Sequence, residues 1–126
     1  MSVIVTDTGF AADDWTAGFD GPAVRDLPSD TAPDALEFDG AEMIRIDFPS
    51  FADGRGFTLA RLLRLRGYTG RLRARGHVIS DQYAMARRSG FDEVEISDDL
   101  AARQPEKDWL FRANWQQHDY QSRLRG

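Results

Sequence analysis

Cysteine is absent from this sequence, and that absence removes disulfides, thiolate nucleophiles, Cys-ligated zinc and iron–sulfur clusters together. Redox work would need a borrowed cofactor, and no cofactor is expected from the chain itself. Histidine is nearly absent: His77 and His118 are the only two. Neither has a close ligand-type neighbour at helical spacing on an obvious apolar face, so no metal site is expected. No apolar run approaches the roughly 18 to 20 residues that cross a bilayer. The opening Met1-Ser2-Val3-Ile4-Val5-Thr6-Asp7 also lacks a basic region followed by an apolar stretch. The expectation is a cytoplasmic protein with no membrane partner. Gly54-Arg55-Gly56 is not a dinucleotide fingerprint, because position 59 is Leu where a third glycine belongs. A phosphate-binding loop ending in Gly-Lys-Ser/Thr and a nucleophile elbow are missing too, as are internal repeats and low-complexity tracts.

What is present suits one folded domain. The chain has 126 residues, 41% hydrophobic and 29% charged, average usage for a globular protein long enough to bury about two-thirds of its surface. Charge is unevenly spread beneath a net value of −5. Residues 1–53 carry two basic and twelve acidic side chains, 55–88 carry nine Arg and one acid, Asp81, and the stretch from 92 onward carries five basic and eight acidic residues. The middle is thus a basic island between acidic flanks. It implies either an anionic ligand or partner there, or flanks that fold over the island and neutralise it. Fifteen Arg against one Lys also reads as the codon bias of a GC-rich genome. A net negative charge, with Arg spread over helix and strand, argues against a nucleic-acid partner.

Periodicity sets the expected elements. A short strand at 2–5 precedes a stretch, 6–40, that reads as mostly loop, interrupted by Pro22, Pro28 and Pro33 and pinned to the core by Phe10, Trp15 and Phe19. Met43 to Phe48 alternates as a half-buried strand ended by Pro49. Leu59, Leu62, Leu63 and Arg66 follow at helical spacing, with Gly67 as a C-terminal cap. The unit recurs as a strand at 71–75, a turn at Gly76-His77, a helix over 78–89 and Gly90 as its cap. A third strand lies at 93–96. Pro105 and Glu106 open a helix to about Leu124, with Leu110, Ala113, Tyr120 and Leu124 as its apolar stripe. The expected fold is a single α/β domain over 1–126, divided into an irregular segment (1–42), a βαβαβ core (43–97) and a helical segment (98–126). Its sheet is short and mostly parallel, of three to four strands with βα crossovers, half-barrel-like or doubly wound.

Ligands of such sheets bind beyond the carboxyl ends of the strands. The loop Asp53-Gly54-Arg55-Gly56-Phe57 is the most specific feature there. Two glycines permit a tight turn and close backbone approach, and the following helix offers unpaired N–H groups to an oxyanion. Gly54, Arg55 and Gly56, with Gln82 from the next loop, are the candidate anion-binding residues, Arg55 serving as a bidentate clamp. The alternative is structural: Asp53 caps the helix, the glycines meet turn geometry, and Arg55 pairs with Asp47 or Asp53. Asp53 and His77 are the candidate acid–base groups; the alternative for His77 is an N-cap or a solvated turn residue. Asp81 reads as a salt-bridge partner of the basic island. Trp109, Phe111, Trp115 and Tyr120 read as core packing.

Phe48-Pro49-Ser50-Phe51-Ala52-Asp53-Gly54-Arg55-Gly56-Phe57, then Ala60-Arg61-Leu62-Leu63-Arg64, Gly67-Tyr68, Gly70, Leu72-Arg73-Ala74, Asp81-Gln82 and Gly90-Phe91-Asp92 resemble a bacterial family of unknown function. Members are encoded beside sulfite reductase and phosphoadenylylsulfate reductase and are labelled oxidoreductases of sulfite reduction. The resemblance runs from Ile44 to Ile96, with echoes at Asp14-Trp15 and Tyr120-Gln121. It implies a protein of assimilatory sulfate and sulfite reduction that is an accessory to one of those reductases and holds a small oxyanion. The alternative it leaves is a small enzyme, an oxidoreductase or acid–base catalyst, acting on a sulfur-containing anion. Members commonly carry Asp at the position of His77, which makes His77 the counterpart of an N-cap. The segment between Trp15 and Met43 is shorter and more acidic here.

Overall fold

Alternating burial decides which way each strand faces. In the structure, a computed structural model that describes residues 2–15, 18, 19 and 21–115, six strands form one sheet: β1 (Ser2–Thr6), β2 (Gly9–Ala11), β3 (Val24–Leu27), β4 (Met43–Phe48), β5 (Arg71–Gly76) and β6 (Glu93–Ser97). Their order is β2-β1-β6-β5-β4-β3. Strands β3 to β6 are parallel, and β1 runs antiparallel to β6 and β2. Four helices follow the strands: α1 (Arg55–Leu65), α2 (Tyr83–Ser89), α3 (Asp98–Arg103) and α4 (Glu106–Phe111).

One face of the sheet carries Val5, Ile44, Ile46, Phe48, Leu72, Ala74, Val94 and Ile96. These pack with Leu59, Leu63, Tyr83, Leu100 and Trp109 of the four helices in a single core. The parallel strands lie in sequential order, β3 to β6, with no reversal, so the helices gather on that one face as they do around a barrel. A doubly wound sheet would place helices on both faces.

The opposite face is charged. Asp26, Arg45 and Arg73 lie level on neighbouring strands, and Arg73 is level with Glu93. Arg73 is fully buried. Its guanidinium donates to Glu93, to Glu95 at 2.8 Å and to both carboxylate oxygens of Asp13 at 2.9 Å. Arg71 meets Glu93 and Asp14, and Arg45 makes a two-point contact with Asp26 at 2.6 and 2.7 Å. The Phe19 ring lies 4.0 Å from the Arg45 guanidinium. The acidic flanks therefore do fold over part of the basic island. Burial alone would lower the Arg73 pKa, but the hydrogen bond to Asp13, the charge of Glu93 and the hydrogen bonds to Glu95 and Glu93 outweigh it and hold the group firmly protonated.

Several expectations are corrected. The sheet has six strands rather than three to four, because Val24–Leu27 and Gly9–Ala11 are strands inside the stretch read as loop. Both are short edge strands whose pairing comes from their neighbours rather than from their own pattern. Phe10 packs against the core as expected, whereas Phe19 lies on the charged face. The helix over 78–89 is a 3-10 turn at Ser80–Gln82 followed by α2. The helix expected from Pro105 and Glu106 starts there but ends at Phe111, and a separate short helix, α3, precedes it, capped by Ser97, which accepts the Leu100 N–H at 3.1 Å. In α4 the inward residue is Trp109, while Leu110 and Phe111 are exposed. Residues 116–126, with His118, Tyr120, Gln121 and Leu124, lie outside the described residues. Asp81 pairs with Arg112, outside the basic island, at 3.1 Å.

Candidate functional site

Because β3 to β6 are parallel, Leu27, Phe48, Gly76 and Ser97 end on one edge, and the loops after them lie together. Asp53 and Arg55 stand at the second of these loops. Asp53 accepts from the Arg55 backbone N–H at 3.1 Å, from Arg55 Nε at 3.0 Å and from Nη2 at 2.7 Å. Ser29 Oγ donates to the same carboxylate at 2.8 Å, tying the loop after β3 to the loop after β4. The structure thus selects Asp53 over Asp47 as the partner of Arg55, whose side chain stays 60% exposed. The Arg55 hydrogen bonds, then those of Ser29 and the Arg55 backbone, hold Asp53 far below the usual carboxylate range. It stays ionised at neutral pH and is poorly suited to accept a proton.

The two glycines do different work. A Cβ on Gly56 would lie 2.5 Å from Phe48 Cζ, so this glycine lets α1 pack close to β4. Phe48 cannot swing aside easily, because its ring also packs on Phe57 and Phe91 at 4.9 and 5.8 Å. A Cβ on Gly54 would meet only Phe57, at 3.9 Å, on a backbone with negative φ. Gly56→Ala is expected to cost about 1–3 kcal/mol in denaturant titrations, while Gly54→Ala, at the N-cap with room for a methyl group, costs about 1 kcal/mol or less.

Gln82 bridges neighbouring loops: its Nε2 donates to Phe51 O at 2.9 Å, and its Oε1 accepts from Ile79 N–H at 3.0 Å. His77 is exposed, with Nδ1 3.3 Å from Phe48 O and its ring 5.4 Å from that of Phe51. It lies on a cleft of about 550 Å³ at the carboxyl edge, shared with Asp47, Arg75, Glu95 and Ser97. A second cleft, about 310 Å³, runs beside Arg55 and is lined by Ser29, Thr31, Thr58 and Leu59. The edge therefore separates Arg55 from His77 into different clefts. Sequence reasoning missed Arg75 as a site residue and saw Asp47 only as a partner for Arg55. The available signal was positional: each is the last residue facing away from the core before its strand ends.

Asp13, Asp14 and Asp53 are all held below their ordinary pKa, first of all by hydrogen bonds from Arg73, Arg71 and Arg55 respectively. A carboxylate lowered in the folded state contributes stability above its unfolded pKa, near 4, and loses it as pH falls through the folded value. Tm should therefore be flat through neutrality and fall below about pH 4. A Tm that rises on acidification would contradict these pairings.

Fold and site together define a small α/β protein with a sequentially wound parallel core and polar clefts at the carboxyl edge of its strands. Among the described residues no helix is long and apolar enough to cross a membrane. The chain belongs to the family described as bacterial protein of unknown function (DUF934), which it matches over residues 24–125. No curated protein and no solved structure matches it.

Proposed function

We propose that the protein serves assimilatory sulfite reduction as a non-catalytic accessory to sulfite reductase or phosphoadenylylsulfate reductase, and that it holds a small sulfur oxyanion at the Arg55 loop. The observation that carries the site is the Arg55 guanidinium, aimed by Asp53 and Ser29 yet exposed beside a cleft with the Thr31 and Thr58 side chains. An oxyanion there would share the planar fork with Asp53 and take hydroxyl donors from the cleft. The pathway is supported by the resemblance to proteins encoded beside the two reductases. The accessory role is favoured over acid–base catalysis by the low proton affinity of Asp53. The test is co-purification with each reductase, together with thermal shift in sulfite, sulfate and phosphoadenylylsulfate. Binding that is lost in Arg55→Ala supports the proposal; no capture of either reductase and no shift with any anion refutes it.

A second reading, a small enzyme acting on a sulfur-containing anion, draws on His77 sharing its cleft with Arg75 and Asp47. It requires His77→Ala to abolish growth on sulfate while leaving the fold intact. Unimpaired growth would exclude it.

A further inference from the structure

The charged groups around the larger cleft form an arrangement that the oxyanion reading does not use. Asp47 of β4 and Arg75 of β5 are register partners on adjacent parallel strands, and both face away from the core. Opposite charges so placed ordinarily pair across the strands. Here they do not: the Asp47 carboxylate makes no hydrogen bond or ion pair among the described residues, and the one ion pair of Arg75 there is a 3.4 Å contact from Nε to Glu95. Glu95 is itself mostly committed below the cleft, where its Oε1 accepts from Arg73 at 2.8 Å and lies 3.4 Å from Arg45. The Arg75 side chain is about half exposed.

Gly76 shapes the space between them. Its φ is +116°, and a Cβ there would lie 2.8 Å from Phe48 O and 3.4 Å from Asp47 Oδ1. Only glycine suits that position, and it leaves the strand end without a side chain beside the Asp47 carboxylate. Two clefts, of about 550 and 190 Å³, have both Asp47 and Arg75 in their walls. Pro49 supplies apolar surface to the larger one.

We propose that this cleft binds a small zwitterion of the α-amino acid class, its carboxylate on Arg75, its ammonium group on Asp47 and its side chain toward Pro49. A simple anion is disfavoured because Asp47 and Glu95 flank the guanidinium. A simple cation is disfavoured because Arg75 stands between the two carboxylates. A ligand that carries both charges at the spacing of one carbon satisfies both ends at once. The site is separate from the Arg55 loop and does not depend on it.

Calorimetric titration of the full chain with L-alanine, propionate and ethylamine tests this directly. L-Alanine should bind at least about tenfold more tightly than either single-charge analogue, each charge-assisted contact being worth about that factor. Asp47→Asn and Arg75→Gln should each weaken L-alanine binding about tenfold with circular dichroism unchanged. Arg55→Ala should leave it intact, which separates this site from the oxyanion loop. Propionate binding as tight as L-alanine, together with tighter propionate binding in Asp47→Asn, would make the cleft a plain anion site and overturn the proposal. So would an L-alanine titration with no heat and no amide shifts around Gly76.

Discussion

Arg73→Ala should destabilise the protein by about 3–5 kcal/mol, the range expected when one partner of a buried ion cluster is deleted. The guanidinium holds Glu93, Glu95 and Asp13 together on the charged face of the sheet, and both glutamates are buried. Without it, the buried carboxylates of Glu93 and Glu95 face one another with the partly exposed Asp13 beside them. Arg71 still touches Glu93 and Arg45 still lies near Glu95, so the loss should not exceed that range. The variant should also respond to pH in a characteristic way. Orphaned buried carboxylates have raised pKa values, so the penalty is full above those values and is relieved as pH falls and they take up protons. Urea titrations of wild type and variant at neutral and mildly acidic pH would show the gap narrowing. A gap that stays constant, or an Arg73→Ala protein as stable as wild type, would contradict the cluster.

Trp109→Ala should cost about as much, 3–5 kcal/mol, for an unrelated reason. Trp109 is the largest fully buried side chain; its ring lies 6.0 Å from that of Tyr83, and its Nε1 donates to Gln104 O at 2.8 Å. Truncation leaves a cavity and an unsatisfied carbonyl between α4, α2 and the turn before α2. Tm should fall by about 10 °C or more for a domain of this size. Leu110→Ala, one residue along and exposed, should change little. Equal effects at the two positions would mean that α4 docks by a different face.

The contrast between those neighbours shows where the sequence was legible. Met43–Phe48 could be read to the residue, because Ile44, Ile46 and Phe48 alternate with polar positions and Pro49 stops the strand. Gly90 could be read as a cap, and it has φ +116°. The start of α4 after Pro105 and the burial of Trp109 were legible too, but the helix ends at Phe111, so Leu110 and Phe111, assigned inward on a longer helix, are exposed. Val24–Leu27 was illegible for another reason: four residues at a sheet edge carry no period of their own. At the site, the loop around Arg55 was found because glycines on either side of an Arg are conspicuous. Asp47 and Arg75 were passed over because each is an ordinary polar residue in an alternating strand, and only the parallel register brings them level at the edge. The pairing of Asp13 with Arg73, sixty residues apart, likewise depends on how the N-terminal segment crosses the sheet.

The claim that an oxyanion is held at the Arg55 loop is tested most directly by an amide-resolved NMR titration of the full chain with sulfite. Saturable shifts are expected, centred on Arg55 and Gly56 and extending to Ser29, Thr31 and Thr58 across the adjoining cleft, all abolished by Arg55→Ala. Shifts that fail to saturate, or that persist unchanged in Arg55→Ala, would contradict it.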